Sequence, residues 1–262
     1  MDFLLYILAG AAVGFAVGLT GVGGGSLMTP ILLLFGFPPH IAVGTDLLYA
    51  AVTKAGGVVL HRRQGTIRWR IVTLLLLGSI PASAITALLL KNVFGDPESY
   101  KHILTTSLGV MLIVTSMVLI FKKRLVAGAI SEAAGTGALG FIRTHAGIFT
   151  FVMGIALGAL VTLSSVGAGA FGAAVLLVLY PRLPALNVIG TDLAHAVPLT
   201  LVAGLFHLYL GNVDFVLLGS LLIGSLPAIW LGTRVGARLP DNVLHPILVS
   251  ILMALGVKYA FF

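Results

Sequence analysis

The chain has 262 residues, 59% hydrophobic and only 9% charged, with a net charge of +7, no cysteine and a mean hydropathy of +1.14. A soluble domain carries roughly 25% charged residues, so this chain cannot cover a water-facing surface. The absence of cysteine excludes disulfides, thiolate catalysis and cysteine metal sites.

In chain order, the first apolar stretch covers about 3–19. It has no basic leader and no small-residue cleavage site, and is read as retained structure rather than as a signal peptide. It stops at Thr20-Gly21-Val22-Gly23-Gly24-Gly25, and a shorter apolar piece follows over about 26–36. Helices are then predicted at about 40–61, 68–90 and 101–121. A polar, Gly-rich linker over 122–144 carries Glu132 and Arg143. The second half repeats the plan: about 145–163, a break from Ser164 to Gly169, then 170–180, 186–209, 213–237 and 242–261. Apolar stretches of about 20 residues match the thickness of a bilayer, and no short-period alternation suggests a barrel. The fold class is therefore an all-α polytopic membrane protein. The two pieces after the breaks are too short for ordinary spans, which favours discontinuous or re-entrant helices where backbone lines a wet cavity.

A single offset of 146 residues relates the halves: Val43-Gly44-Thr45-Asp46-Leu47 returns as Ile189-Gly190-Thr191-Asp192-Leu193. The same offset aligns Gly21 with Gly167, Gly23 with Gly169, Pro38 with Pro184, His61 with His207, Gly65 with Gly211, and Gly78-Ser79 with Gly224-Ser225. This implies a first repeat over 1–121, the linker 122–144 and a second repeat over 145–262, the pattern of many transporters. Each repeat has a Gly-broken first helix plus three spans.

Loop charge bears on their relative orientation. If each broken pair counts as one crossing, the repeats are parallel, with nine basic residues inside and five outside. If each pair goes in and returns, the repeats are inverted, and the division becomes eleven against three. The positive-inside rule favours inversion. It also accounts for the net positive charge, so no nucleic-acid partner is expected.

Few ionisable residues fall inside spans, and each is costly there. Asp46 and Asp192 are read as a proton- or cation-handling pair; headgroup solvation or a helix-dipole contact are the plainer readings. Lys54, eight residues beyond Asp46 and on the same side of its helix, is an anion contact or a carboxylate partner. Its counterpart is Thr200, so the site is asymmetric. His195, three residues after Asp192, is a candidate proton relay. His61 and His207 stand at span ends, where interfacial histidines are common.

The run Gly21 to Ser26 lacks the last glycine and the strand that a dinucleotide fingerprint needs. Its glycine break opens onto a helix start, which presents free N–H groups suited to an anion. Gly21, Gly23, Gly24, Gly25 and Ser26 are candidate binding residues. So are Ser164, Ser165, Gly167 and Gly169 at the matching place, with Thr45 and Thr191 beside the carboxylates. Close helix packing through small residues is the structural alternative. No cofactor or resident metal is called for.

The glycine break with Pro30, then Phe37-Pro38-Pro39-His40-Ile41-Ala42-Val43-Gly44-Thr45, then His61-Arg62-Arg63-Gln64-Gly65 and Trp69, resembles the TauE/SafE sulfite exporter family. The resemblance covers nearly the whole chain and both halves. It implies a multi-pass plasma-membrane permease for small anions, often sulfur-containing ones such as sulfite or sulfonates. Family members commonly have serine after Gly-Thr, where this chain has Asp46 and Asp192; Ala170 and Phe171 stand where the first half has Gly24 and Gly25. The expectation is a non-enzymatic secondary transporter of a small anion in the lipid bilayer, with proton coupling through Asp46, Asp192 and His195. A homodimer is one assembly open to it. The competing expectation is a divalent-cation transporter using Asp46, Asp192, His195 and His207; an anion channel or an intramembrane enzyme stand further off.

Overall fold

The structure is a computed structural model that describes residues 2–20, 27–131, 138–236 and 241–261. Among the described residues every regular element is helical. The helices are α1 (Asp2–Thr20), α2 (Met28–Leu34), α3 (Pro39–Arg63), α4 (Trp69–Leu89, continued by a π-helical turn, Leu90–Phe94), α5 (Pro97–Ser131), α6 (Ala138–Thr144), α7 (Ala146–Ser164), α8 (Ala170–Leu179), α9 (Ala185–Tyr209), α10 (Phe215–Gly236) and α11 (Asp241–Phe261). Six of them are long and apolar enough to cross a membrane. Large apolar side chains such as Leu77, Ile85, Ile148, Ile223 and Trp230 are exposed along them, as a lipid-facing surface requires. The expected linker is more helical than its composition suggested: α5 continues to Ser131 and α6 begins at Ala138, with 132–137 outside the described residues.

The ends of α3 and α9 are set by matching chemistry. Pro38 and Pro184 precede them with nearly identical extended backbone (ψ 139° and 143°), since proline is accommodated at a helix start. Gly65 and Gly211 follow them at φ 65° and 76°, a left-handed turn that glycine makes at little cost.

These two helices form the centre. The apolar window is 56% buried in α3 and 61% in α9, against 44% or less in the other four spans. They run antiparallel. Gly44, near the start of α3, packs on Asn212 just beyond α9, and Gly190, near the start of α9, packs on His61 and Thr66 at the end of α3. At one corner the Asp214 N–H donates to Thr45 Oγ1 (3.2 Å), and at the other the Arg68 N–H donates to Thr191 Oγ1 (3.0 Å). Thr45→Val or Thr191→Val keeps the side-chain shape and strands one backbone donor. Each should cost about 1–3 kcal/mol, and the costs should add because the corners are far apart; thermal unfolding in detergent micelles checks this.

Glycine ridges hold the outer helices. Gly10 and Gly14 of α1 lie on the backbone of Leu221 and Ser225 of α10; Gly154 and Gly158 of α7 lie on that of Leu75 and Ser79 of α4. Such small-residue contacts let helices approach closely where lipid provides no hydrophobic drive between them.

The short helices return toward the side their predecessors came from. At about 1.5 Å per residue α8 is about 15 Å long, half of a ~30 Å bilayer core. Its end meets the start of α7: Arg143 Nε donates to the Val178 carbonyl (3.5 Å), and the Thr150 and Tyr180 hydroxyls share a 2.8 Å hydrogen bond. A cavity of about 420 Å³ is lined from both sides of this junction, by Arg143, Thr144 and residues 179–183. In the first half, the Tyr6 ring in α1 lies 5.3 Å from that of Phe37, just after α2.

Candidate functional site

The antiparallel α3–α9 pair spaces the buried charges along its axis. Gly57 faces Leu193 and Gly204 faces Leu48, so Asp192 stands level with a residue near 59 of α3. Helical rise then puts Lys54 between the carboxylates, about 12 Å from the level of Asp46 and about 7 Å from that of Asp192. All three are buried, at 0% (Asp46), 6% (Lys54) and 3% (Asp192) exposure. Lys54 lies within electrostatic reach of both carboxylates, Asp192 more strongly. It makes direct contact with neither, the one ion pair among the described residues being Lys101–Glu98. Its ammonium donates instead to the Ala168 carbonyl (3.0 Å), in the break between α7 and α8.

Each carboxylate meets a half-helix. Thr29, in the first turn of α2, donates its hydroxyl and its N–H (3.2 Å) to Asp46 Oδ2. Asp192 Oδ1 lies against Gly172 in the first turn of α8, where a Cβ would have to displace the carboxylate. A helix start carries unsatisfied N–H groups and a positive dipole end. The helix starts that were expected to face a substrate anion therefore face the protein's own carboxylates.

The break that carries Ala168 is tightly turned. Ser165 has φ 57°, the one non-glycine residue with positive φ among those described, and Gly167 and Gly169 have φ 126° and 147°. Ser165 lies beside Asp46, yet its hydroxyl lacks hydrogen-bond geometry to any partner. A strained residue at a buried polar centre fits a functional role. His195 Nε2 and Ser79 Oγ share a 3.0 Å hydrogen bond, and the ring lies near Lys54. Asp46 Oδ1, Asp192 Oδ1 and His195 Nδ1 are buried without a hydrogen-bond partner, and the Tyr49 and Ser225 hydroxyls lie beside each other short of hydrogen-bond geometry. Unmet polar atoms at this density call for a ligand, water or proton.

The structure thus brings together Asp46, Lys54, Asp192, His195 and Ser165. Thr45 and Thr191 are turned away into the helix corners. The Ser164 hydroxyl is engaged locally, donating to the Leu160 carbonyl (2.7 Å) and accepting from the Val166 N–H (3.2 Å). Gly167 and Gly169 shape the break. Gly21, Gly23, Gly24, Gly25 and Ser26 lie outside the described residues. Thr29, Tyr49, Ser79, Gly172, Ser225 and the Ala168 carbonyl were not expected here. The signal for two of them was present, since Ser79 and Ser225 are matched by the repeat offset.

The constellation proposed for a divalent cation does not assemble. His207 Nε2 is bonded to the Thr162 carbonyl (2.9 Å) and Nδ1 lies 3.3 Å from the Asn212 amide, at the Gly44 corner and away from Asp192 and His195. Among the described residues no three histidine or carboxylate side chains converge.

A family profile described as Sulfite exporter TauE/SafE matches residues 6–259. The chain belongs to that family. It is 35% identical to "Probable membrane transporter protein YjnA" of Bacillus subtilis over 96% of this chain and 97% of the relative. It is 25% identical to "Probable membrane transporter protein YdhB" of the same organism over 92% and 93%, and 24% identical to a "Probable membrane transporter protein" of Xylella fastidiosa over 90% and 86%. No solved structure matches it. The chain is therefore a multi-pass membrane protein of a transporter family, and the buried array between α3 and α9 lies in a protein whose relatives are named for transport.

Proposed function

We propose that this protein is a secondary transporter for a small sulfur-containing anion, sulfite or a sulfonate, coupled to protons. The observation that carries the reading is the Asp46–Lys54–Asp192 array, buried between antiparallel helices and flanked by two half-helices. An intramembrane lysine away from its span ends is expensive and marks a substrate path. Two carboxylates seated where an anion would sit are natural competitors for it. Protonation of a carboxylate frees the half-helix start and the lysine for the substrate.

The antiparallel course of α3 and α9 and the return of each short helix support two inverted repeats, with the broken helices meeting near the midplane as in other alternating-access carriers. Lys54, Ser165 and the two half-helix starts supply donors, Asp46 and Asp192 take the protons, and His195 with Ser79 links the centre to α4.

The test is sulfite flux in proteoliposomes, with and without an imposed pH gradient. The wild-type protein should show flux that rises with the gradient. The Asp46→Asn, Asp192→Asn variant should lose the gradient dependence. Full gradient-dependent flux in that variant sinks the coupling assignment.

A further inference from the structure

We infer that the substrate is a monoanion carried with one proton, so that each transport step is electroneutral. The inference rests on the transporter reading above and narrows its substrate class by charge balance. A buried site of low dielectric strongly disfavours net charge. Around the array, α3 contributes Lys54, Asp46 and Tyr49, and α9 contributes Asp192 and His195. The elements packed against them contribute neutral groups at the site: Thr29 from α2, Ser165 and the Ala168 carbonyl from the break, Gly172 from α8, Ser79 from α4 and Ser225 from α10.

With His195 and Tyr49 uncharged, Lys54 is the one cationic group the array offers, and Asp46 and Asp192 are two groups that can each lose a proton. The empty site is neutral with Lys54 as ammonium, one carboxylate ionised and the other protonated. When a monoanion enters, neutrality returns once that carboxylate takes up one proton. The anion then stands in for the carboxylate's charge beside Lys54. A dianion leaves one negative charge uncompensated unless a second cation is buried next to Lys54. Sulfonates and hydrogen sulfite therefore fit the site, and sulfate or thiosulfate do not.

Methanesulfonate is a suitable probe, since it stays ionised and does not leak across lipid as a neutral acid. Labelled methanesulfonate uptake into proteoliposomes is measured with a pH gradient alone and with a potassium–valinomycin potential alone. The expected result is uptake driven several-fold by an acidic exterior and unchanged by potential of either sign. Excess unlabelled hydrogen sulfite should compete, and sulfate should not. Uptake that follows the potential, or equal competition by sulfate, overturns the inference while leaving an anion transporter in place. No protein-dependent flux of methanesulfonate or sulfite overturns the transporter reading itself, and the inference with it.

Discussion

Lys54→Met should abolish anion flux, lowering it at least about 100-fold, and should also destabilise the protein by about 3 kcal/mol. The two effects have different causes. Stability falls because removing the cation of a buried charge set leaves the ionised carboxylate of the Asp46 and Asp192 pair uncompensated, and because the Ala168 carbonyl loses its donor. On the proposed function, flux falls because the anion loses the buried cation Lys54. The double variant Lys54→Met, Asp192→Asn separates them. With the nearer carboxylate neutralised, thermal stability should return most of the way, while flux stays absent. Lys54→Arg keeps the charge but sets a larger planar group in a fully enclosed place, so its flux should fall between wild type and the methionine variant. Wild-type flux in Lys54→Met would remove the array from the transport path.

Gly158→Val should be among the most disruptive single changes in the chain. Any Cβ at Gly158 would collide with the Ser79 backbone of α4, and backbone cannot swing aside as a side chain can. Overpacking commonly costs about 1–3 kcal/mol, and a helix pair forced apart along a whole ridge should lie at or above the top of that range. The damage reaches the site, because the hydroxyl bonded to His195 belongs to Ser79. Transport should therefore be lost even in the fraction that remains folded. Gly56→Ala is the contrast. Nothing lies within 4 Å of a Cβ there, and alanine favours a helix interior by about 0.5–1 kcal/mol, so this variant should unfold at a slightly higher temperature. Melting in detergent, with yield of monodisperse protein, compares the two.

Much of this architecture is legible in the sequence because it depends on periodic or local signals. Long apolar runs fix which segments cross lipid, Pro38 and Pro184 with Gly65 and Gly211 mark both ends of the central helices, and the offset that aligns Asp46 with Asp192 draws attention to the two carboxylates. Loop charge favours short helices that return; in the fold Arg143 meets the Val178 carbonyl and the Tyr6 ring meets that of Phe37. What the sequence does not reveal is direction. Thr45 and Asp46 are neighbours, yet one hydroxyl closes a corner on Asp214 while the next side chain turns into the centre toward Thr29. One residue is about 100° on a helix, and only the packing of α3 on α9 decides which faces inward. For the same reason the contact of the half-helix starts with Asp46 and Asp192 does not show in the sequence, since it depends on elements brought together by the fold. The extension of α5 to Ser131 was missed because the Gly-rich composition after residue 122 outweighed its helical context.

The central claim is that the buried array serves a carrier of small sulfur-containing anions. The most direct measurement is counterflow: proteoliposomes loaded with unlabelled sulfite are diluted into a trace of labelled sulfite. A carrier with alternating access accumulates label transiently above equilibrium, saturably, and Lys54→Met does not; that is the expected result. Label that merely equilibrates without overshoot, or an overshoot that survives Lys54→Met, would contradict the account.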